Sequence, residues 1–348
     1  MKINLAQDES FKGCAPPHRA GFSVGGVSVN LASADAVGVA FVPSLEPFRT
    51  EAHVPDINIL IEWAENLRAS AKQPLFDSGS VWRLYEDGAG FQFDFSASIV
   101  GDQPYKRLLV DGQFRRARLQ LSVESFWGTG FVVAPLEYPL DELLIMHRLT
   151  QEKAIELHSC GIVLPDGTGN LFVGHSGAGK STTTRLWTAR EDVEVLSDDR
   201  IIVRRETDGA GGETPLGAAV GADKPEVLRL RGRSASPNGH SAQDDKRKSG
   251  MRMYGTPWHG EAAYASPGSA PLSRIFILEH GRGNVLTRLS PSQAVGELFA
   301  RSFVPFHRHE YVDSALEFLQ ELVGAVPCYH YAFEPTAAAV ERILEFRD

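Results

Sequence analysis

The stretch "LFVGHSGAGKSTTTRLW", residues 171–187, is the part of the chain that decides its fold class. An apolar segment at residues 171–173 is followed by "GHSGAGKS", which fits the phosphate-loop pattern G-x-x-x-x-G-K-[ST] in full. A helical pattern begins at Lys180. A strand, a glycine-rich turn and a helix in this order predict a loop whose backbone N–H groups converge on phosphate oxygens at a helix N-terminus.

The residue types in this loop predict ATP and Mg²⁺ as ligands. Lys180 suits the β- and γ-phosphates, and Ser181 suits the Mg²⁺ ion that bridges them. A ligand-free turn would not require Lys and Ser directly after its last glycine. For His175, a solvent-facing spacer remains as plausible as a ligand contact. The residues assigned to nucleotide contacts are Gly174, His175, Ser176, Gly177, Ala178, Gly179, Lys180, Ser181 and Thr182.

A pair of aspartates follows in "VEVLSDDRIIV", only 18 residues after Lys180. Asp198 and Asp199 end an apolar strand pattern, the position at which P-loop proteins carry a carboxylate for Mg²⁺. Both aspartates are candidates for metal binding and for catalysis, and the sequence does not say which performs which role. The alternative is a pair of turn-forming aspartates after a strand.

These motifs resemble those of a known family. "GHSGAGKS" and "LSDDRIIV", with His158 of "LHSCGIVL" 16 residues before Gly174, are similar to the HPr kinase/phosphorylase family and its relatives with a phosphoenolpyruvate carboxykinase-type P-loop. The serine kinases of lasso-peptide gene clusters share the resemblance, which covers residues 157–202. It implies a P-loop domain with a central β-sheet. It also implies that one of Asp198 and Asp199 ligates the metal, while the other, beside His158, takes the proton of an attacking hydroxyl.

The chain departs from HPr kinases further downstream. Their Glu-Ile-Arg-Gly type signature is not found, and "MYGTPWHGEA", residues 253–262, stands in its place. HPr itself is therefore not the expected substrate. The composition of this decapeptide suits a tight loop near a site, with His259 and Glu261 as catalytic, metal or substrate contacts. The alternative is a surface turn in which Trp258 merely packs. Further along the chain, Arg301 suits either a clamp on the transferring phosphate or an exposed helix end.

The rest of the chain divides into two predicted domains. Two-residue alternation over residues 57–133 predicts strands, and hence a smaller, mainly antiparallel β-rich domain at residues 1–138. Strands then alternate with helices, which predicts an α/β P-loop domain at residues 139–348. The segment 206–250 is rich in Gly, Ser and charge, which predicts a mobile surface insertion.

The spacing of apolar residues changes from a strand period to a helical period at the junction between these domains. Leu140, Leu143 and Leu144, with Ile155 further on, predict a helix that leads into "LHSCGIVL". The domain boundary is therefore predicted near Pro139.

Composition excludes several classes of partner. The formal net charge of −9 over 348 residues argues against binding to nucleic acid or to an anionic membrane, since both need basic surface. The N-terminus lacks the pattern of a signal peptide, and no apolar run approaches the roughly 18 residues that span a bilayer. The three cysteines have no metal-ligand spacing, which fits a reducing compartment. A cytoplasmic protein is predicted, and a homo-oligomer is compatible with the sequence.

The leading hypothesis is a kinase that transfers the γ-phosphoryl group of ATP to a hydroxyl, with Ser of a peptide or protein as the acceptor. A kinase for a small hydroxyl compound such as free serine, or a carboxykinase-like enzyme, is an alternative. A non-catalytic nucleotide-binding regulatory protein is another. The aspartates distinguish the classes, because a sensor needs one metal carboxylate and a kinase needs a second carboxylate as base.

Overall fold

The computed structural model describes residues 19–33, 39–52, 54–98, 101, 103–126, 134–206 and 250–347. Within these ranges the chain is a mixed α/β structure with two β-sheets and few helices. The interior of the predicted insertion, residues 207–249, lies outside the described residues. The chain on either side of it is joined by a hydrogen bond from the Glu206 N–H to the Gly250 carbonyl, at 2.8 Å. No helix in the described ranges is long and apolar enough to cross a membrane.

The first sheet contains eight strands from the N-terminal part of the chain. They are β1 (Arg19–Val24), β2 (Val27–Ser33), β3 (Ile57–Ala64), β4 (Phe76–Asp77), β5 (Trp82–Asp87), β6 (Gly90–Phe95), β7 (Lys106–Asp111) and β8 (Arg116–Ser122). Their order across the sheet is β1-β2-β3-β8-β7-β6-β5-β4. β3 runs parallel to both β2 and β8, and the other neighbours are antiparallel. The sheet is thus mainly antiparallel, with two parallel pairings that need longer crossovers.

The core of the first sheet extends into a helix that follows it in the chain. Phe91, Phe93 and Phe95 of β6 are buried in this core, as their two-residue spacing predicts. The helix α2 (Leu140–Leu149) adds apolar residues such as Leu144 to the same core. A short helix, α1 (Val123–Phe126), ends β8.

The prediction that Ile155 continues this helix is wrong. α2 ends at Leu149, and Ile155 lies in the strand β9 (Ala154–Val163), where it belongs to the core of the second sheet. A single buried apolar residue is compatible with either a helix or a strand. The spacing of Ile155 from α2 therefore could not show that a turn separates α2 from β9.

The second sheet contains nine strands built around β9. The others are β10 (Gly169–Val173), β11 (Glu194–Ser197), β12 (Arg200–Arg205), β13 (Met251–Tyr254), β14 (Ser269–His280), β15 (Val285–Arg288), β16 (Ser302–Phe303) and β17 (Cys328–Phe333). β14 pairs with β13 near its start, and with both β10 and β17 further on. The pairings β9-β12-β13-β14-β10 therefore close into a ring, because β10 also pairs with β9.

Helices cover both faces of the second sheet. α4 (Pro291–Phe299) and α5 (His309–Ala325) share a core with Ile275 and Ile277 of β14. α3 (Lys180–Thr188) and α6 (Ala337–Glu345) share a core with the intervening Phe276. Because successive side chains of a strand point to opposite faces, β14 anchors both helix layers.

Candidate functional site

The candidate site lies where β9 passes His158 and Ser159. On one edge of β9, the His158 N–H donates to the Arg301 carbonyl at 2.8 Å, and the His158 carbonyl accepts the Gly174 N–H at 3.2 Å. On the other edge, the Ser159 N–H donates to the Asp199 carbonyl at 2.9 Å. The P-loop therefore begins on one edge of β9, directly across from the break between β11 and β12 on the other.

The loop after β10 is built on glycines that no other residue could replace without strain or a clash. Gly177 and Gly179 have φ angles of 82° and 100°, in the left-handed region that favours glycine. A Cβ on Gly179 would lie 2.6 Å from Phe333 Cζ, and one on Gly174 would lie 2.7 Å from Ala178 Cβ. α3 begins directly after Gly179 with no side-chain cap, so no side chain competes for its first N–H groups. Of the other predicted contacts, His175 and Ser176 are exposed, and Ser181 and Thr182 are half-buried.

Lys180 is buried and folds back over this loop. Its Nζ donates to the carbonyls of Gly174 at 3.0 Å and His175 at 3.3 Å. Burial lowers the pKa of Lys180, and the nearby Asp199 charge opposes that shift. The ammonium group is thus held inside the loop, where it lacks a direct carboxylate partner among the described residues and remains able to neutralise an anion.

The two aspartates point in different directions. Asp198 is 1% exposed, and its carboxylate accepts the backbone N–H groups of Gly260 at 3.0 Å, Ala262 at 2.8 Å and Tyr264 at 3.3 Å. These bonds fill three of the roughly four acceptor positions of a carboxylate. Asp198 therefore fixes the loop that follows β13 against the end of β11.

Asp199 instead faces His158 and Arg200. Its Oδ1 lies 2.9 Å from His158 Nε2, and its Oδ2 accepts a hydrogen bond from Arg200 Nη1. Burial by itself would raise the pKa of Asp199, but the hydrogen bond from His158 and the charge of Arg200 outweigh burial and lower it. Because an ionised carboxylate only accepts hydrogen bonds, the proton of this pair lies on Nε2 of His158.

Arg200 and the acidic residues around it also belong to the site, although they were not predicted from the sequence. The guanidinium also contacts Glu142 of α2 and lies 3.5 Å from Glu156 of β9, and it stacks 4.8 Å from the centre of the Phe303 ring. Glu156 is fully buried. A charged residue within the apolar pattern "AIELHSCGIV" was an available signal, since glutamate is rarely buried without a partner.

The loop "MYGTPWHGEA" reaches the site through its backbone. Trp258 is buried, and its Nε1 donates to Asp141 Oδ2 at 2.9 Å. His259 and Glu261 are exposed, and His259 Nδ1 lies 3.1 Å from the Gly260 carbonyl. Within the described ranges, neither of these two side chains bonds to the paired aspartates. The structure thus brings the peptide groups of this loop to the pair, but not its two titratable side chains.

Arg301 contributes its backbone to the site. Its carbonyl bonds to β9 at His158, while its Nη1 donates to the carbonyl of Glu297 at 2.8 Å and to the Glu297 carboxylate at 2.5 Å. The side chain is therefore engaged by Glu297 of the preceding helix, α4.

No protein-family model matches the chain, and no curated protein matches it significantly. The site must therefore be interpreted from its own residues. These residues are the glycines of the P-loop motif, the buried Lys180, and the ionised Asp199, which is hydrogen bonded to His158 of β9.

We expect Asp141 to make thermal stability depend on pH. Burial raises the pKa of Asp141 to about 7, although the hydrogen bond from Trp258 opposes this. The unfolded carboxyl titrates near pH 4, so between about pH 4 and 7 unfolding releases a proton and stability falls as pH rises. Asp141→Asn removes this titration. Melting temperatures measured across this range should fall more steeply for the parent than for the variant, and parallel curves would contradict the prediction.

Proposed function

We propose that this chain is an ATP- and Mg²⁺-dependent kinase that transfers the γ-phosphoryl group to a hydroxyl. The observation that carries the proposal is the ionised Asp199, paired with His158, across β9 from a P-loop with a buried Lys180. A phosphate cradle alone supports nucleotide binding. A carboxylate held beside it with a bound histidine supports proton removal from an acceptor.

The loop residues fit a nucleotide. The uncapped start of α3 and the ammonium of Lys180 supply positive potential for the β- and γ-phosphates. The Ser181 hydroxyl and the remaining acceptor position of Asp198, the latter through a water, suit Mg²⁺, which usually keeps several waters. When bound, the ion would neutralise charge that develops on the phosphate oxygens.

Asp199 is the residue we assign to proton removal. Its pKa is lowered, so the carboxylate is ionised at neutral pH and able to accept a proton. The partners on its two oxygens, His158 and Arg200, hold its orientation. The acceptor hydroxyl would give its proton to this carboxylate while its oxygen bonds to phosphorus and the bond to the ADP oxygen breaks. Little base strength is needed, because phosphoryl transfer passes through a loose transition state.

The acceptor class follows from the sequence resemblance, and we propose it with the fold family. Residues 157–202 resemble HPr kinases and the serine kinases of lasso-peptide clusters, so a Ser hydroxyl of a peptide or protein is the proposed acceptor, with free serine as the alternative. His259 and Glu261 are exposed beside the aspartate pair and are proposed to contact this acceptor. The HPr kinase-like P-loop fold is part of the same proposal.

A non-catalytic nucleotide-binding protein is the second candidate. The observation in its favour is that the three backbone N–H groups on Asp198 leave Asp199 as the more open carboxylate of the pair. A sensor needs only one. What favours the kinase is the hydrogen bond between Asp199 and His158, which holds an ionised carboxylate in a fixed orientation near the loop, as a proton acceptor requires.

Lys180→Ala should weaken binding of Mg-ATP. The substitution removes the buried cation of the loop, and a charge-assisted hydrogen bond contributes enough for a loss of about 10- to 100-fold. Isothermal calorimetry measures the affinity. Lys153→Ala, which removes an exposed lysine paired with Glu321, is the control and should bind like the parent. Equal affinity of the parent and Lys180→Ala would contradict the assignment of this loop as the nucleotide-binding P-loop.

Gly179→Ala should also abolish nucleotide binding, for a steric reason. The new Cβ would meet Phe333 at 2.6 Å, and the residue would keep an unfavourable φ of 100°. Gly167→Ala is the matched control, because Gly167 also has a positive φ, 78°, but no heavy atom lies within 4 Å of its added Cβ. Both variants should lose some thermal stability, and only Gly179→Ala should lose affinity for Mg-ATP. Similar binding by the two variants would show that the cradle shape is not required.

Asp199→Asn should separate transfer from binding. The amide keeps the volume but cannot take a proton, so label transfer from γ-phosphate to peptides or free serine should fall by about 10²–10⁴-fold, while Mg-ATP affinity changes little. His158→Ala should give a milder loss of transfer. Asp198→Asn turns an amide donor toward backbone N–H groups and weakens the proposed contact to Mg²⁺, so it should lower both the melting temperature and the affinity for Mg-ATP. If the parent transfers label to no hydroxyl and still binds Mg-ATP, the sensor takes the place of the kinase.

A further inference from the structure

Three carboxylates surround the single guanidinium of Arg200. Glu142 Oε1 contacts its Nε, Glu156 Oε1 lies 3.5 Å from the same atom, and Asp199 accepts from Nη1. The side chains of Arg200, Glu142 and Glu156 are only 16%, 9% and 0% exposed. Water therefore contributes little to balancing the charges of this group.

Three ionised carboxylates around one cation would leave two uncompensated negative charges in a buried place, which is costly. A proton on Glu156 removes one of these two charges. Neither of its carboxyl oxygens accepts a hydrogen bond from an N–H or hydroxyl group of the described residues. Burial, followed by the neighbouring Glu142 charge, raises the pKa of Glu156 well above its usual value. Glu156 is thus the member that holds a proton.

Aromatic rings restrict the guanidinium from the sides. The Arg200 guanidinium carbon lies 4.8 Å from the centre of the Phe303 ring and 6.0 Å from that of Tyr138. Cations at this distance are attracted to ring faces. With a carboxylate at Nε and another at Nη1, the guanidinium has one favoured orientation, and that orientation directs it to Asp199.

We propose that Glu142 and Glu156 are a positioning pair: Glu142 as the carboxylate and Glu156 as its protonated neighbour hold Arg200 so that Asp199 keeps the orientation needed for phosphoryl transfer. The inference rests on the proposed kinase activity. It adds residues outside the P-loop and the aspartate pair. Glu142 lies on α2, whose apolar side belongs to the core of the first sheet, so the pair also ties the orientation of Asp199 to that sheet.

If Glu142 and Glu156 act in this way, replacing each of them by glutamine should have different effects. Glu142→Gln removes the charge that balances Arg200, so kcat should fall by about 10- to 100-fold, as for a misoriented catalytic group, with Mg-ATP affinity within about twofold of the parent. Glu156→Gln replaces a protonated carboxyl with an amide that also donates, so kcat should stay within about twofold. The expected loss of melting temperature is on the order of 5 °C for Glu142→Gln and near zero for Glu156→Gln.

Two further variants test whether Glu142 acts through Arg200. Arg200→Gln should lower kcat by a similar factor, and adding Glu142→Gln to it should cause no further loss, because residues that act through one contact are not additive. The matched control is Glu152→Gln. It removes a half-buried carboxylate that pairs with Arg148, at 2.9 Å, and with Arg204, away from Asp199. The control should affect melting temperature but not kcat.

Three results would contradict the positioning role of Glu142 and Glu156. Unchanged kcat in Glu142→Gln, an equally large loss in Glu156→Gln, or additive losses with Arg200→Gln would overturn it. If the parent transfers no phosphoryl group, the proposed function fails by itself, and the melting temperatures still test the pair. Equal destabilisation by the two glutamine substitutions would then show that Glu156 is not the protonated member of the pair.

Discussion

The backbone hydrogen bonding of β9 is the constraint on which the site depends. Along most of its length β9 has strand partners on both edges, but at His158 and Ser159 its bonds go to the start of the P-loop, to Arg301 and to Asp199. Both loops are thereby tied to one rigid strand. A phosphate cradle and a carboxylate held on opposite edges of one strand keep a fixed separation without any contact of their own.

Charge burial explains why the surroundings of the site are so specific. Asp198 is compensated by three peptide N–H groups, Asp199 by His158 and Arg200, and Glu156 by a proton. Each solution suits the position: peptide dipoles fix a loop, a paired imidazole and guanidinium keep a carboxylate ionised, and protonation removes a charge that no cation balances. Only the second solution leaves an ionised carboxylate partly open to a substrate.

Much of the fold could be predicted from the sequence, because it depends on short-range pattern. The P-loop spacing gave the start of α3 at Lys180, and two-residue alternation gave the strands around Phe93. The separate orientations of Asp198 and Asp199 could not be predicted, since their partners lie 62 and 41 residues away at Gly260 and His158. Adjacent residues share a position in the sequence pattern, and only long-range packing separates their environments.

The different environments of Asp198 and Asp199 also suit them to different roles in the proposed reaction. A carboxylate already holding three N–H groups is a poor choice for a proton acceptor, since a proton on it would break the bonds that fix the Gly260 loop. Protonating Asp199 costs less in structure, because its partners are the side chains of His158 and Arg200 and not the backbone of a loop. In the proposed kinase, Asp198 therefore serves to fix the loop and Asp199 serves as the proton acceptor. Glu142 and Arg200, both largely buried, hold Asp199 in an orientation that a partly exposed side chain would not keep by itself.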